Sequence, residues 1–359
     1  VKLLVWHWGR HGAGPIFAAR LSAALAEHPD TEVVLSLPEG AEVLAEEPDL
    51  QCGWREKTYR NPGGYALQRL AALWFDRHAV QKLRDIKPDF AICAMPALLD
   101  RRMVRALRRS NVRYAVVVHD ATAHPGDGLR FRLLDQSGLL PGAAALFPLS
   151  THVEAELRRQ GYGTSAMGAH GQCIVKLWHP PFFFGAMRPV FSHGGRPRLL
   201  CFGRLLPYKG LDLLADALTA LGPEMPFDVR ICGEGPVSAE LSRLAALPHV
   251  TVDQRWIPEA ELPGLIEWAD AVVLPYREAS QSGVAAAAIG QGRLVVATCV
   301  GGLPEQLAGL PGAILCDPNA PAIAAALQRI KPAASPASAA SVAANWNAMA
   351  ARMLAALPR

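Results

Sequence analysis

Short apolar runs recur along this chain at intervals too long for hairpins, with helical patterns between them. That rhythm is its strongest constraint. In the second half the runs fall at 199–202, 227–232, 249–252, 271–274, 294–298 and 313–316. Leu211, Leu214, Leu218 and Leu221, spaced by threes and fours, mark a helix after the first run, and Glu259–Trp268 reads as another. In the first half, Leu3–Trp8, Glu32–Leu37, Asp89–Ala94, Tyr114–Val118 and Ala144–Leu149 read as strands. Pro15 to Glu27, the segment around Met103–Leu107 and His152–Arg159 read as helices, with Pro15 suited to a first turn and Ser150 to an N-cap. Antiparallel strands can turn within two residues, whereas parallel strands need a long crossover, usually a helix. The alternation therefore predicts an α/β chain with parallel sheets covered on both faces.

At 359 residues the chain suggests two domains, on a norm of roughly 100–200 residues each. Residues 179–198, HPPFFFGAMRPVFSHGGRPR, are dense in Pro and Gly and have no sustained period, which marks a boundary. A Pro/Ala/Ser-rich link, KPAASPASAAS, follows at 331–341. A last helix over 342–356, carrying Trp346, Met349 and Leu354, then needs a surface to cover, and the first domain is the expected one. The expected division is a Rossmann-like domain over 1–184, a second over 185–335, and a linker and helix over 336–359. An apolar fraction of 51% with 19% charged residues suits a packed globular chain and excludes a disordered or strongly charged nucleic-acid binder. The net charge of +4 permits an anionic substrate without requiring one. The seven cysteines show no Cys-x-x-Cys pair and read as buried free thiols of a reducing compartment. No apolar segment approaches the ~20 residues of a membrane-spanning helix, and Val1–Trp6 reads as a first strand rather than a leader. A soluble, cytoplasmic protein is the expectation.

In an open parallel sheet, ligands bind outside the carboxyl ends of the strands. The stretch Gly203–Gly210, GRLLPYKG, sits at such an end and holds Arg204 and Lys209 between two glycines. The glycines let backbone approach a ligand, and the following helix adds its N-terminal dipole. Arg grips two phosphate oxygens at once and Lys acts as a point charge, so the pair suits a diphosphate. The plain alternative is a solvated loop with ordinary surface cations, and spacing alone does not separate the two. Three further strand ends are small or polar: ICGEGP (231–236), LPYREASQSG (274–283) and VGGLPE (300–305). Together the four loops describe a nucleotide-diphosphate site better than they describe random turns.

The segments GRLLPYKG, GEGP, RWIPEAEL, REASQSG, AAIGQGRLVVAT and GGLPE stand in the order of motifs of the family-4 retaining glycosyltransferases, and the chain resembles that family over roughly 197–330. The likeness is thinner over 1–180, where WGRHGAGP and VVVHDATAHP match the family's glycine-rich first loop and its His-Asp turn. The resemblance implies the GT-B fold: two Rossmann-like domains facing each other across a cleft, with the C-terminal helix crossing back to the first. By position it implies that Arg204 and Lys209 neutralise the donor diphosphate and that His119 contacts the donor sugar. Gly12 and Gly14 would let the first domain's loop close over the phosphates. Gly203, Gly233, Gln281, Ser282, Gly283 and Val284 would line the donor, and Trp256 and Ile257 would lie against the base through backbone groups.

Two departures stand out. The family's pair of glutamates falls on Ala279 and Ala287, eight positions apart. Glu278 is one residue from the first; it either substitutes through a bulge or is an ordinary surface group. His119 by itself also reads as a satisfied strand-end histidine. The Arg101–Ser110 stretch, RRMVRALRRS, reads either as a solvated helix face or as a peripheral contact for anionic lipid, at the inner face of a membrane, through Arg101–Arg109. Trp54, Tyr59 and Tyr65, in the loop-like stretch 52–65, either stack on sugar rings or pack internally.

The function implied is transfer of a sugar, with retention, from a nucleotide-diphosphate sugar such as a GDP- or UDP-sugar to a hydroxyl of a polysaccharide or lipid-linked saccharide. No Asp-x-Asp is present to hold a divalent cation, so no metal or other cofactor is expected, and no nucleic-acid partner. One alternative is a catalytically silent scaffold of the same fold, suggested by the missing glutamates. Another is a dinucleotide-binding oxidoreductase, but the pattern from Gly12 has Phe17 where its third glycine would stand.

Overall fold

The computed structural model describes residues 1–59, 63–64, 72–97, 100–122, 138–163, 172–184, 190, 193–331 and 339–358. Among the described residues no helix is long and apolar enough to cross a membrane. The chain forms two units. The first gathers the described residues up to Trp178 together with those from Trp346 onward; the second runs from His179 to Asn345. Sequence placed the first boundary at 184. The segment after Trp178 lies in the second unit because Phe182 is buried there and its backbone N–H donates to the Ala286 carbonyl.

The first unit holds seven strands: β1 (Lys2–Trp6), β2 (Glu32–Pro38), β3 (Trp54–Glu56), β4 (Phe90–Cys93), β5 (Arg113–Val118), β6 (Ala145–Pro148) and β7 (Cys173–Ile174), in the order β3-β2-β1-β4-β5-β6-β7. The second holds β8 (Arg198–Phe202), β9 (Asp228–Cys232), β10 (Val250–Asp253), β11 (Ala271–Leu274), β12 (Leu294–Thr298) and β13 (Ala313–Cys316), in the order β10-β9-β8-β11-β12-β13. Neighbouring strands are parallel in both sheets, as the alternation requires. Strand residues such as Leu3, Leu4, Val5 and Trp6 are fully buried because helices cover both faces of the sheet. Each such side chain contributes about 1.5–3 kcal/mol. The two cores are separate: Leu4, Trp6, Val116 and Leu146 lie in one, Leu199, Ile231, Leu214 and Leu327 in the other.

Local signals place several helices. Ser150 caps Thr151–Arg159 by accepting from the Val153 N–H at 3.2 Å. Ser282 caps Gly283–Gly290 by accepting from the Ala285 N–H at 3.1 Å. The segment read as one helix over Glu259–Trp268 is a 3-10 turn, Glu259–Glu261, followed by a helix, Leu262–Trp268, with Pro263 in its first turn. The last helix, Ala339–Ala356, enters the first unit at Trp346, whose ring meets Phe17 edge-on at 5.0 Å; Met349 and Met353 are fully buried.

Candidate functional site

In the second sheet the strand order reverses between β8 and β11, the switch point where a crevice opens beyond the carboxyl ends. The loops leaving β8 and β11 carry the predicted cations and the Ser-Gln-Ser segment. Rim loops from neighbouring strands are pressed backbone against backbone. Gly233 has φ 151°, and a Cβ there would lie 1.7 Å from the Gly203 carbonyl oxygen. Gly210, at φ 66°, closes the 3-10 turn Pro207–Lys209 and opens the helix Leu211–Ala220; its absent Cβ would lie 1.9 Å from the Pro275 oxygen. Leu205 donates to the Glu234 carbonyl at 2.8 Å, and Gln254 Nε2 to the Gly235 carbonyl at 2.9 Å. The loops thus form a continuous shelf, following strand order from β10 through β9 and β8 to β11. The glycines are needed here first because neighbouring backbone fills the space of a side chain.

Two tyrosines that sequence reasoning passed over hold the cations. Lys209 is 9% exposed; its Nζ donates to the Tyr276 hydroxyl at 2.6 Å and lies 3.9 Å from that ring's centre and 5.1 Å from the Tyr208 ring. Arg204 is exposed, donates to the Tyr208 hydroxyl at 3.1 Å and stacks on the same ring at 5.8 Å. The tyrosine rings meet edge-on at 6.3 Å. Burial keeps the Tyr276 phenol well above its usual range, so it stays protonated. Burial also pushes the Cys201 thiol up to about 12, opposed by the charge of Lys209. The Tyr276 hydroxyl lies 3.5 Å from Ser282 Oγ, the cap of helix Gly283–Gly290, and Gln306 clamps Ser282 from the other side, with two bonds of 2.9 Å to its backbone. The motif tyrosines in PYKG and LPYRE were the available signal.

The structure therefore brings together Gly203, Lys209, Gly233, Ser282, Gly283 and Val284, whose Cγ2 lies 3.3 Å from the position of a Gly203 Cβ. Gln281 is the half-buried neighbour of the cap. Trp256 and Ile257 sit on the shelf's β10 end. Trp256 is 39% exposed, and its carbonyl accepts from Arg255, which also pairs with Asp253 and Glu261. Ala279 and Ala287 are both buried. The Ala279 carbonyl accepts from the Gly302 N–H at 2.9 Å, tying the β11 loop to the β12 loop. Glu278 is half-buried beside it.

The first unit has its own switch point, between β1 and β4. His7, after β1, is buried, and its Nδ1 sits 2.8 Å from the Met95 carbonyl; His119, after β5, is buried with Nε2 at 3.0 Å from the Ala94 carbonyl. A carbonyl only accepts, so His7 carries its proton on Nδ1 and His119 on Nε2. Burial holds the His7 imidazole down at about 4, so it is neutral. A Cβ on Gly14 would lie 2.3 Å from the His7 ring, and one on Gly9 2.5 Å; both glycines make room for this imidazole. Gly12 differs: it has φ 81°, caps the helix Ala13–Ala26, and has nothing within 4 Å of a Cβ position. Phe17, at the third-glycine position of the dinucleotide pattern, is fully buried against His119 at 4.7 Å.

The structure decides two points that the sequence leaves open in the first unit. Trp54 does not present a ring to a sugar: it lies in β3, 1% exposed, edge-on to Trp8 at 5.5 Å and bonded to Glu56. The stretch read as loop gains this strand because Trp54 and Glu56 point into the core. Tyr59 packs against the same core, and Tyr65 lies outside the described residues, as does His124. The helix Asp100–Arg109 does not offer five arginines outward. Arg102 pairs with Glu56 at 2.5 Å, both buried; Arg105 grips Asp76 through two bonds of 2.7 and 2.8 Å, and Arg109 lies 3.6 Å from Asp76. Arg101, Arg108 and Arg109 remain exposed, Arg109 while lying beside Asp76.

Residues 196–331 match the family model described as Glycosyl transferases group 1. The chain is 34% identical over 163 residues to a GDP-mannose-dependent alpha-(1-6)-phosphatidylinositol monomannoside mannosyltransferase of Mycolicibacterium smegmatis, covering 39% of this chain and 40% of that protein. It is 35% identical over 130 residues to a D-inositol 3-phosphate glycosyltransferase of Jonesia denitrificans, covering 33% and 31%. The chain thus spans well under half the length of these curated relatives. Among solved structures, a sucrose-phosphate synthase from Thermosynechococcus elongatus superposes with a TM-score of 0.65 at 18% identity, covering 99% of this chain and 95% of that one. HepE from Anabaena, in complex with UDP and glucose, superposes at 0.66 with 17% identity, covering 98% and 95%. These likenesses give the fold, which is GT-B.

Proposed function

From a chain of GT-B fold whose residues 196–331 match the Glycosyl transferases group 1 family, we infer a glycosyltransferase that moves a sugar from a nucleotide-diphosphate sugar to an acceptor hydroxyl, with retention. The observation that carries this is the Lys209–Tyr276–Ser282 chain at the switch point, with Arg204 alongside. A permanent positive charge is fixed beside the capped start of a helix, where N–H groups and dipole already favour phosphate oxygens. The diphosphate is read as lying on Gly203, Gly233 and the Ser282–Val284 turn. The base would lie towards Trp256 and Ile257.

As the anomeric C–O bond breaks, its electron pair goes to the departing phosphate, and Lys209 and Arg204 stabilise that charge more in the transition state than in the ground state. The acceptor oxygen bonds to the same face of the anomeric carbon. Its proton passes to the departing phosphate oxygen, so no enzymic nucleophile is used. With the positive charge built into the protein, no divalent cation is asked for. Gly12 is read as the glycine that closes over phosphate, since its Cβ position is open; Gly14 is taken up by His7. His119 is read as a contact to the donor sugar, and Glu278 as the carboxylate nearest the family's first glutamate. GDP-mannose in one relative's name and UDP with glucose in one solved complex make GDP- and UDP-sugars the first donors to try. The acceptor is read as a saccharide or lipid-linked saccharide, in the cytoplasm, with any peripheral membrane contact resting on the exposed arginines of the Arg101–Arg109 stretch, Arg101, Arg108 and Arg109.

A second reading, nucleotide binding without transfer, is favoured by one observation: buried alanines, Ala279 and Ala287, stand where the family has carboxylates. Thermal shift with UDP-, GDP- and ADP-sugars tests the donor site. One donor should stabilise the wild-type chain, and Arg204→Ala and Lys209→Ala should each abolish the shift. Equal shifts in all three proteins would remove the assignment. Binding without either transfer or slow donor hydrolysis would favour the second reading.

A further inference from the structure

A cavity of about 660 Å³ opens in the first unit, lined by Arg10, Glu39, Gly40, Lys57 and Thr58. These residues follow β1, β2 and β3, so the cavity lies beyond the carboxyl ends of three adjacent parallel strands, where such sheets bind ligands. Its size is that of a small-ligand site, about 300–1,000 Å³, which suits one or two sugar rings.

The cavity's cation is held in place. Arg10 Nε donates to Thr58 Oγ1 at 3.1 Å and NH2 to the Thr58 carbonyl at 3.3 Å. Its backbone carbonyl accepts from the Glu42 N–H at 3.2 Å. A Cβ on Gly40 would stand 3.2 Å from the guanidinium carbon, so the glycine lets the flat group lie against the chain. Among the described residues no carboxylate pairs with Arg10. The nearby Glu42 carboxylate is taken by His11 at 2.6 Å, and the cavity's own carboxylate, Glu39, is exposed. Lys57 adds a second cation at the rim. A guanidinium ordered by a hydroxyl and a carbonyl, rather than neutralised by an acid, keeps its charge for an oxyanion.

We propose that this cavity holds the anionic group, a phosphate or a carboxylate, of the acceptor saccharide. Arg10 and Lys57 bind the oxyanion, and Glu39 accepts from sugar hydroxyls. The proposal rests on the glycosyltransferase reading for the word acceptor; the anion site itself does not.

Calorimetry on the full chain tests it with four probes: glucose 6-phosphate, glucuronate, glucose and inorganic phosphate. At least one anionic sugar should bind about tenfold or more tightly than glucose, the effect of one charge-assisted hydrogen bond. Arg10→Gln and Lys57→Gln should each lower that preference, with Arg10→Lys in between; far-UV circular dichroism confirms that the variants fold. Equal binding of charged and neutral sugars, no binding of either anionic sugar, or a preference unchanged in the variants overturns the site. Inorganic phosphate binding as tightly as the sugar phosphate overturns the acceptor assignment. Donor-sugar stabilisation, measured on the same wild-type samples, separates the two readings: its absence counts against the donor site, whatever the anionic sugars do.

Discussion

Lys209 Nζ donates to the Tyr276 hydroxyl at 2.6 Å while lying 3.9 Å from the centre of the same ring. The phenol thus fixes the ammonium twice, through its oxygen and through its π face. Tyr276→Phe keeps the ring and removes the oxygen. A hydrogen bond to a charged group is worth about 1.5–3 kcal/mol, so turnover should fall roughly tenfold or more, with folding retained. Steady-state kinetics on the donor that gives a thermal shift would check this; an unchanged kcat would separate the tyrosine from the site.

If built-in cations carry the leaving-group charge, removing divalent metal should change nothing. Transfer measured with excess chelator should match transfer with added magnesium or manganese within about twofold, small against the ~10²–10³ expected for losing a charge-stabilising group. A chelator-sensitive rate restored by one metal would show that the cation pair is insufficient.

The rim glycines should separate by what occupies their missing side chain. Gly233→Ala drives a Cβ into the Gly203 oxygen and should cost more than about 2 kcal/mol. Gly12→Ala meets open space and should cost only its glycine-type backbone, about 1–3 kcal/mol, and less than Gly233→Ala, which bears the cost of its backbone and the clash together. Urea denaturation monitored in each unit distinguishes the two.

Acid should loosen both units through buried imidazoles. His7 and His179 are each lowered by burial from 6.5 to about 4. Their folded-state pKa is depressed, so the unfolded chain binds the proton first. The stability they allow is present above 6.5 and is lost as pH falls towards 4. Asp100 is raised by burial from 3.8 to about 7, which acts in the opposite sense: its contribution is present below 3.8 and is lost as pH rises towards 7. His7→Gln should flatten the fall in stability between pH 6.5 and 4, and Asp100→Asn should flatten the loss between 3.8 and 7. Denaturation midpoints across that range provide the measurement.

The arginine helix should divide into structural and surface positions. Glu56→Gln strands the buried Arg102 charge and should destabilise by about 3–5 kcal/mol. Arg101→Ala and Arg108→Ala should stay within about 0.5 kcal/mol. If the helix touches anionic lipid, those two and the exposed Arg109 should weaken sedimentation with phosphatidylserine vesicles when replaced, and Arg102→Ala should act only through folding.

The strands of the second half were legible almost residue for residue. The run 271–274 became Ala271–Leu274 because a parallel strand buried on both faces has nothing but apolar residues to show. The Gly-Arg…Lys-Gly loop was legible as a cationic strand end. Tyr208 and Tyr276 were not, since a phenol's role depends on which cation the fold brings to it, and sixty-seven positions separate Tyr276 from Lys209. β3 was hidden because its three residues, Trp54–Glu56, alternate in and out with a buried glutamate among them. The Arg-rich helix misled for the same reason: Glu56 and Asp76, the acids that hold it, are distant in sequence.

The last helix has a consequence for how the protein is made. Phe17 leaves the ribosome long before the indole that covers it, since Trp346 is translated only after the whole second sheet. The helix Ala13–Ala26 therefore waits, with the Phe17 ring lacking its indole cover, while the second unit is translated. Chaperone dependence and aggregation of truncated nascent chains should concentrate in that interval.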